Sequence, residues 1–148
     1  MDTLLSLYHS RLSDAEPGKT VLTVVDSRLQ AYDLEMTALD EFVSRAAGCL
    51  RTLGCGKGSR VLISLRGSLQ VFAFFWGAVK CGAVPCVLFP GLGAGGLSVR
   101  LNAADADFFC YGLRSGKTDR RGELPSAPEK SDPAWKTVGC SAVPQLGS

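Results

Sequence analysis

The sequence predicts an α/β fold, a Rossmann-like three-layer unit in which helices cross over between parallel strands. Three apolar segments, near residues 60–65, 84–89 and 107–111, have the composition of buried strands. A helical pattern separates each segment from the next, and the connections are short. Strands and helices that alternate in this order are typical of a parallel sheet with right-handed crossovers.

Residues 1–36 are predicted to lead into this unit. Apolar residues at helical spacing indicate a short helix from Asp2 to Leu12, which a Pro-Gly pair ends. The β-branched segment 20–26 predicts a strand of a separate small sheet or hairpin. Residues 30–33 would form its return strand or turn.

The predicted unit, residues 37–112, begins with a helix. Thr37 is the predicted N-cap, and the carboxylates of Asp40 and Glu41 suit the positive end of the helix dipole. Gly54 follows the last residue of the apolar face, where a left-handed backbone conformation favours glycine. The sequence therefore predicts that this helix ends at Gly54.

The first two strands of the unit flank a helix that is apolar nearly all round. Gly82 is predicted to end this helix, residues 69–81. Pro85 lies inside the second strand, which indicates a strand start or a sheet edge at that position. The glycine-rich loop 90–96 and a helix over residues 97–104 precede the third strand.

Residues 113–148 differ from the rest of the chain, because they show no sustained hydrophobic period and are rich in charge and proline. The prolines are Pro125, Pro128, Pro133 and Pro144. This composition predicts a flexible, disordered C-terminal tail.

Composition and charge argue against several classes of function. A net charge of +2 without a basic face disfavours nucleic-acid binding. The N-terminus lacks the positive charge and apolar length of a signal peptide, and the apolar helix is shorter than the ~20 residues of a membrane span. The six cysteines form no C-x-x-C pair, which disfavours a zinc site. Reduced thiols in a cytoplasmic protein without a metal site are predicted.

Two glycine motifs offer alternative nucleotide sites. Gly91 to Gly96 fits G-x-G-x-x-G between a strand and a helix, where backbone amides can hold a dinucleotide pyrophosphate. Against this, Pro90 precedes the first glycine, the strand is not the first of the unit, and no acid ends the strand 107–111. Residues 115–118 resemble the end of a P-loop, but the required glycine is displaced by one position.

No catalytic residue is predicted. His9, the single histidine, lies in the N-terminal helix away from any nucleophile pattern. Asp105 and Asp107 flank a turn between a helix and a strand, and they are predicted to serve as a cap and a solvated edge. The sequence contains none of the common hydrolase or metalloprotease motifs.

Two linked motifs carry a family resemblance. Residues 53–61 are L-G-C-G-K-G-S-R-V, and residues 80–84 are K-C-G-A-V. With the strand and helices around them, they resemble the N-terminal subdomain of the adenylate-forming (AMP-binding) superfamily, which includes acyl-CoA synthetases, luciferases and peptide-synthetase adenylation domains. The resemblance extends over residues 37–111, with Ser59 in place of the usual aspartate.

The resemblance implies a reaction and its cofactors. Family members use ATP and Mg²⁺ to convert a small-molecule carboxylate into an acyl-adenylate, and they then pass the acyl group to a thiol, that of CoA in the acyl-CoA synthetases. Residues 89–108 are most similar to the acetyl-CoA-synthetase-like branch, although R-L-N-A-A at residues 100–104 departs from that branch's R-[IL]-x-D-A pattern at the aspartate. By that resemblance, the loop at Gly91 and the basic turn at Arg114 would contact a CoA phosphate.

The resemblance also implies that the catalytic parts are missing. The family's phosphate loop Y-T-S-G-T-T-G-x-P-K and its Y-G-x-T-E segment do not occur in this sequence, and neither do the ribose-binding aspartate region and the C-terminal lid with its lysine. The chain is therefore expected to be a fragment of an AMP-dependent synthetase/ligase that is inactive alone, with a complementing protein chain as a partner. A non-catalytic α/β binding module and a dinucleotide-binding domain are the alternatives.

Overall fold

The computed structural model of the chain describes residues 3–25, 28–65, 68–89, 92–111 and 136–139. These ranges contain four α-helices and six strands. In chain order the elements are α1 (Leu4–Ser13), β1 (Thr20–Val25), β2 (Ala31–Glu35), α2 (Met36–Thr52), β3 (Arg60–Ser64), α3 (Ser68–Lys80), β4 (Val84–Val87), α4 (Ala94–Ala104), β5 (Phe108–Tyr111) and β6 (Lys136–Gly139).

The central feature is a four-stranded sheet with the order β4-β3-β5-β6. β3 pairs in parallel with both β4 and β5, and β5 pairs in parallel with β6. Helix α3 connects β3 to β4, and α4 connects β4 to β5. The predicted α/β fold with parallel strands and crossover helices is therefore confirmed.

Strand β6 lies in the range for which the sequence predicted a tail without regular structure. Its residues, Lys136–Gly139, pair with β5 from Phe108 to Tyr111. Four residues are too few to show a hydrophobic period, so the strand could not be recognised before its neighbour was known. The other residues of the range 113–148 lie outside the described part of the chain.

The lead-in region forms a helix and a hairpin. Helix α1 begins with a capping box, in which the backbone N–H of Ser6 donates to the Thr3 hydroxyl and the backbone N–H of Thr3 donates to the Ser6 hydroxyl. β1 and β2 pair antiparallel as a separate two-stranded sheet. The predicted strand at residues 20–26 and its return strand are thus found as a hairpin.

Helix α2 begins one residue before the predicted N-cap. Its N-cap is Glu35, the last residue of β2, and Glu35 makes no side-chain capping bond. Met36 is buried against the hairpin and α1, so the burial of its side chain fixes the first turn. The prediction of Thr37 as the N-cap was wrong, because tertiary packing overrode a local capping preference.

Glycine ends two of the helices as predicted. Gly54 after α2 has a φ of +93°, and Gly82 after α3 has a φ of +74°. Helix α4 begins at Ala94, three residues before the predicted start at Leu97, and the N–H of Leu97 donates to the carbonyl of Gly93 at 3.0 Å. Gly95 and Gly96 therefore lie in the first turn of a helix rather than in a loop.

The core lies on both faces of the sheet. Val61 and Ile63 of β3 pack against α2 and α3, where Phe74 is fully buried. Leu62 points to the other face and packs with Leu101 of α4 and with Phe109. Alternate residues of β3 thus pack against helices on the two faces of the sheet, which is why the strand is apolar along its whole length.

Candidate functional site

The sheet topology defines a crevice at the carboxyl ends of β3 and β5. The chain leaves β3 toward β4 on one side and returns to β5 on the other side, so the two central strands form the topological switch point. In open α/β sheets, ligands bind outside the carboxyl ends of the strands at such a point. The crevice is therefore the candidate functional site.

The described residues around this crevice are mostly apolar or small. Leu65, after β3, is buried, and Gln70 in the first turns of α3 is a buried polar residue. Tyr111 at the end of β5 is half-buried, with its ring stacked on that of Phe109 at 5.8 Å between centroids. Among the described residues, the crevice thus presents packing groups, the hydroxyls of Ser64 and Tyr111 and the amide of Gln70, but no carboxylate and no histidine.

The two predicted CoA contacts, Gly91 and Arg114, lie outside the described residues. The same holds for the P-loop-like segment 115–118.

The described glycines of the 91–96 loop do not have the geometry of a dinucleotide fingerprint. The third glycine of a fingerprint allows a helix to pack closely on a strand, but a Cβ added at Gly96 would meet only the side chains of Arg100 and Leu92, at 3.5 Å or more. The loop also follows β4, which is an edge strand of the described sheet, whereas the fingerprint belongs at the switch point. These findings argue against the dinucleotide-binding alternative.

Asp105 and Asp107 lie at the opposite, amino end of the strands. Asp105 is the C-cap of α4 with a φ of +48°, and its carboxylate forms an exposed ion pair with Arg60 at 3.3 Å. The carboxylate of Asp107 accepts the backbone N–H of Arg60 at 2.8 Å. Both acids stabilise the junction between α4 and the sheet, in line with their predicted structural role.

A polar cluster of Tyr8, Asp40, Ser44 and Lys80 joins the three helices α1, α2 and α3. The hydroxyl of Tyr8 donates to Asp40 at 2.8 Å, and the ammonium of Lys80 donates to Asp40 and to the hydroxyl of Ser44. The ammonium also lies 5.2 Å from the centre of the Tyr8 ring, within cation–π range. This cluster was not predicted from the sequence, although a lysine at the end of an apolar helix is a signal for a buried partner.

The cluster perturbs the acidity of its members. Burial, reinforced by the hydrogen bond to Asp40, raises the pKa of the Tyr8 hydroxyl. Burial alone would raise the pKa of Asp40, but hydrogen bonds from Lys80 and Tyr8 outweigh it and lower that pKa. Asp40 is thus held as a carboxylate inside a network of donors. The members are paired with one another across three helices, so the cluster stabilises the packing of α1, α2 and α3.

None of the five described cysteines is in a disulfide bond. Burial raises the pKa of Cys55 to about 11 and also raises the pKa of Cys81, whose thiol lies close to that of Cys55. Both groups are therefore protonated near neutral pH and are poor nucleophiles. In the described ranges, no group of three or more His, Cys, Asp or Glu side chains could hold a metal ion. None of the helices in these ranges has the length and apolar character that a membrane crossing requires.

Comparison with known proteins gives a consistent set of relatives. A family model described as "AMP-binding enzyme" matches residues 13–144. Acetyl-coenzyme A synthetase of Laribacter hongkongensis is 27% identical over 129 residues, which are 87% of this chain and 19% of that protein. Long-chain-fatty-acid–CoA ligase FadD13 of Mycobacterium tuberculosis is 34% identical over 98 residues, 62% of this chain and 20% of that protein. The chain thus spans about a fifth of the length of these relatives.

Solved structures share the fold. The N-terminal domain of FACL13 from Mycobacterium tuberculosis superposes with a TM-score of 0.70 at 23% identity, over 96% of this chain and 34% of that one. The N-terminal subdomain of NpsA from Klebsiella oxytoca gives a TM-score of 0.71 at 19% identity, over 94% of this chain and 31% of that one. At these identities the likeness shows the fold alone.

Proposed function

The chain belongs to the AMP-binding enzyme family, and from this membership we propose that it is the N-terminal part of an adenylate-forming domain that does not complete the reaction by itself. One observation carries the proposal: the family match takes up nearly the whole chain, yet the chain covers only about a third of the FACL13 N-terminal domain. The chain accordingly provides the scaffold of the site. The other binding surfaces and the catalytic groups belong to the rest of the adenylate-forming domain.

The chemistry of the family explains why this part is insufficient. A carboxylate attacks the α-phosphate of ATP, releasing pyrophosphate and forming an acyl-adenylate, and a thiol then attacks the acyl carbon and releases AMP. The first step needs donors aimed at the developing charge on the phosphates, and losing even one such donor costs an enzyme about 10²–10³ in rate. The sequence lacks the phosphate-loop motif that supplies these donors in the family.

The described residues also do not fit the Mg²⁺ ion that accompanies ATP in the family. No group of three or more candidate ligand side chains forms in the described ranges, and no carboxylate is among the residues described at the crevice of β3 and β5. No step through the metal is therefore assigned to this chain. Its contribution is to hold the ends of β3 and β5 in place beside α3 and to exclude water behind them.

In the completed domain, we infer that the substrates are ATP, a small-molecule carboxylate and CoA, and that the protein acts in the cytoplasm. The names of the relatives support a CoA ligase, since one is an acetyl-coenzyme A synthetase and another a long-chain-fatty-acid–CoA ligase. The missing groups would come from a complementing protein chain or from an adjoining segment of a longer protein.

Gly91 and Arg114 are the proposed CoA contacts in this completed protein. A guanidinium can bind a phosphate through two parallel N–H···O bonds, which a glutamine side chain cannot replace. We expect Arg114→Gln to weaken CoA binding by about tenfold or more, because charge-assisted hydrogen bonds are worth roughly 1.5–3 kcal/mol. Titration calorimetry of the completed domain with CoA measures this, and Lys117→Gln is the matched control. Equal affinity for the unchanged and the Arg114→Gln proteins would remove Arg114 from the site.

The proposed function predicts that the isolated chain does not form an acyl-adenylate. The measurement is the ATP–pyrophosphate exchange that depends on acetate or on a long-chain fatty acid, and it uses the 148-residue chain with ATP and Mg²⁺. The acetyl-coenzyme A synthetase of Laribacter hongkongensis serves as the positive control. We expect no exchange above the level without protein. Carboxylate-dependent exchange by the chain alone would refute the proposal.

A further inference from the structure

The thiols of Cys55 and Cys81 lie close together and take no part in the proposed function. Cys55 lies in the turn that joins α2 to β3, and Cys81 lies in the turn that joins α3 to β4. We propose that these two cysteines are an oxidisable dithiol, which a small-molecule disulfide of the glutathione class converts into a disulfide bond between the two turns. The inference does not depend on the rest of the adenylate-forming domain, because every residue that it uses belongs to this chain.

Backbone contacts hold the two turns against each other. The N–H of Gly58 donates to the carbonyl of Gly82 at 3.0 Å, and the N–H of Val84 donates to the carbonyl of Ser59 at 2.7 Å. A Cβ added at Gly82 would lie 3.4 Å from the Cα of Lys57, which is van der Waals contact. Because a disulfide bond joins segments whose backbones already lie close together, the two turns meet the first requirement for such a bond.

The side chains of the two cysteines meet at one hydrophobic cluster. Cys55 is buried in the cluster that contains Phe74 and Ala78, and Cys81 packs against that cluster. Burial is the main cause of the raised pKa of both thiols, and a hydrogen bond between them adds to the rise at Cys55 and opposes it at Cys81. The Cys55 thiol is therefore the donor, and the Cys81 sulfur is the acceptor. The two sulfur atoms thus lie within reach of each other.

Cys81 is the thiol that a reagent in solution reaches first. It is half-buried, whereas Cys55 is buried. Burial raises the pKa of Cys81, and the positive charge of the Arg51 guanidinium opposes this rise. The guanidinium is held beside the cysteine, because it donates to the carbonyl of the adjacent Lys80 at 3.0 Å. The accessible thiolate is therefore that of Cys81, and its raised pKa makes the reaction slow near neutral pH.

The oxidation consists of two exchange steps. The Cys81 thiolate attacks one sulfur of the small disulfide, whose S–S bond breaks and releases one small thiolate, and a mixed disulfide remains at Cys81. The Cys55 thiolate then attacks the Cys81 sulfur, forms the bond between the turns and releases the second small thiolate. The two protons of the protein thiols pass to the released thiolates. Two protein thiols are thus oxidised, and one small disulfide is reduced to two thiols.

The new bond would lock part of the scaffold. It closes a loop over residues 55–81, which contains β3 and α3. Cross-linking a loop of this length lowers the conformational entropy of the unfolded chain, so the ratio of folded to unfolded protein should rise by about 100-fold. The bond would lie at the amino ends of β3 and β4, whereas the crevice lies at the carboxyl ends of β3 and β5. Oxidation is therefore expected to stabilise the protein without removing a group from the crevice.

Peptide mapping of the oxidised protein tests the proposal. The reduced 148-residue chain is incubated with oxidised glutathione under mildly alkaline conditions, and the remaining thiols are then alkylated. Trypsin releases Cys55 in the peptide 52–57, and it releases Cys81 together with Cys86 in the peptide 81–100. We expect these two peptides to be joined by a disulfide bond, which fragment-ion sequencing places at Cys81 rather than at Cys86.

Three variants test the order of the two steps. Cys55→Ala removes the second thiol, and we expect it to accumulate a mixed disulfide with glutathione at Cys81. In Cys81→Ala, we expect modification of Cys55 to be at least about tenfold slower, because the remaining thiol is buried. Cys49→Ala is the matched control, since Cys49 is another half-buried cysteine at the same cluster, and this variant should form the bond as the unchanged protein does. Circular dichroism of each variant verifies that it is folded.

Urea unfolding of the unchanged protein measures the consequence. We expect the oxidised form to have a folded-to-unfolded ratio about 100-fold higher than the reduced form, and dithiothreitol should abolish the difference. Four outcomes would overturn the proposal. These are the absence of linked peptides, a link from Cys55 to a cysteine other than Cys81, mixed disulfides at both cysteines that do not resolve into a bond, and an oxidised form no more stable than the reduced form.

Discussion

Replacing Gly77 with alanine is expected to destabilise the protein, whereas the same change at Gly48 is expected to stabilise it. Both glycines lie inside helices, Gly77 in α3 and Gly48 in α2. A Cβ at Gly77 would lie 2.9 Å from the backbone nitrogen of Ala47, which is closer than such atoms approach, and at a tight 3.0 Å from the Cβ of Ala46. A Cβ at Gly48 would meet nothing within 4 Å.

The two effects have different physical origins. The atoms next to Gly77 belong to the backbone and to the short side chain of Ala46, and they cannot turn aside. Helices α2 and α3 must therefore move apart, and overpacking of this kind costs about 1–3 kcal/mol of stability. At Gly48 the change gains about 0.5–1 kcal/mol from the lower conformational freedom of alanine in the unfolded chain. Urea unfolding of the two variants and the unchanged protein gives both values. Equal stability of the two variants would show that α2 and α3 do not pack closely at Gly77.

Replacing Asp40 with alanine is expected to lower the free energy of unfolding by about 2–3 kcal/mol at neutral pH. The change leaves the Lys80 ammonium and the Tyr8 hydroxyl without their shared acceptor. Removing one partner of a buried ion pair costs about 3–5 kcal/mol, and the value here is lower because the side chains of Asp40 and Lys80 remain 23% and 15% exposed. As a control, Glu16→Ala breaks an exposed ion pair with Lys19 and should change stability by less than about 0.5 kcal/mol.

The contribution of Asp40 to the free energy of unfolding should decrease as the pH falls into the acid range. Its folded-state pKa lies below the unfolded value of about 3.9, so its contribution is present above that value and is lost as the pH falls through the folded-state pKa. The stability difference between the unchanged protein and Asp40→Ala should therefore be constant near neutral pH and should narrow in strong acid. Urea unfolding over a pH series measures it. A difference that grows as the pH falls would contradict the assigned network.

The main elements of the fold were predictable because their signals are local. The apolar strands, the helical faces and the glycines at positions 54 and 82 each follow from neighbouring residues in the sequence. The start of α2, the early start of α4 and the strand β6 depend on contacts with residues far away in the chain. Met36, for example, is helical because it packs against the hairpin, and no pattern around Thr37 contains that information.

For the candidate site, the sequence predicted the family and the absence of the phosphate loop, but not the residues at the crevice. The linked motifs at residues 53–61 and 80–84 correctly indicated the AMP-binding family, and the missing phosphate loop indicated an incomplete site. Those motifs lie in the turns that join α2 to β3 and α3 to β4, where the N–H of Gly58 donates to the carbonyl of Gly82 at 3.0 Å. They therefore fix the packing of the scaffold. They do not specify the groups at the crevice, and the polar cluster around Asp40 joins residues as far apart in the sequence as Tyr8 and Lys80.

The ATP–pyrophosphate exchange of a reconstituted domain tests the central claim most directly. The chain, the whole part of the ligase FadD13 that follows its region of match to this chain, and their mixture are each assayed with ATP, Mg²⁺ and a long-chain fatty acid. If the chain is the N-terminal part of an adenylate-forming domain, exchange that depends on the fatty acid occurs in the mixture and in neither part alone. Exchange by the chain alone, or a mixture as inactive as its separate parts, would contradict the claim.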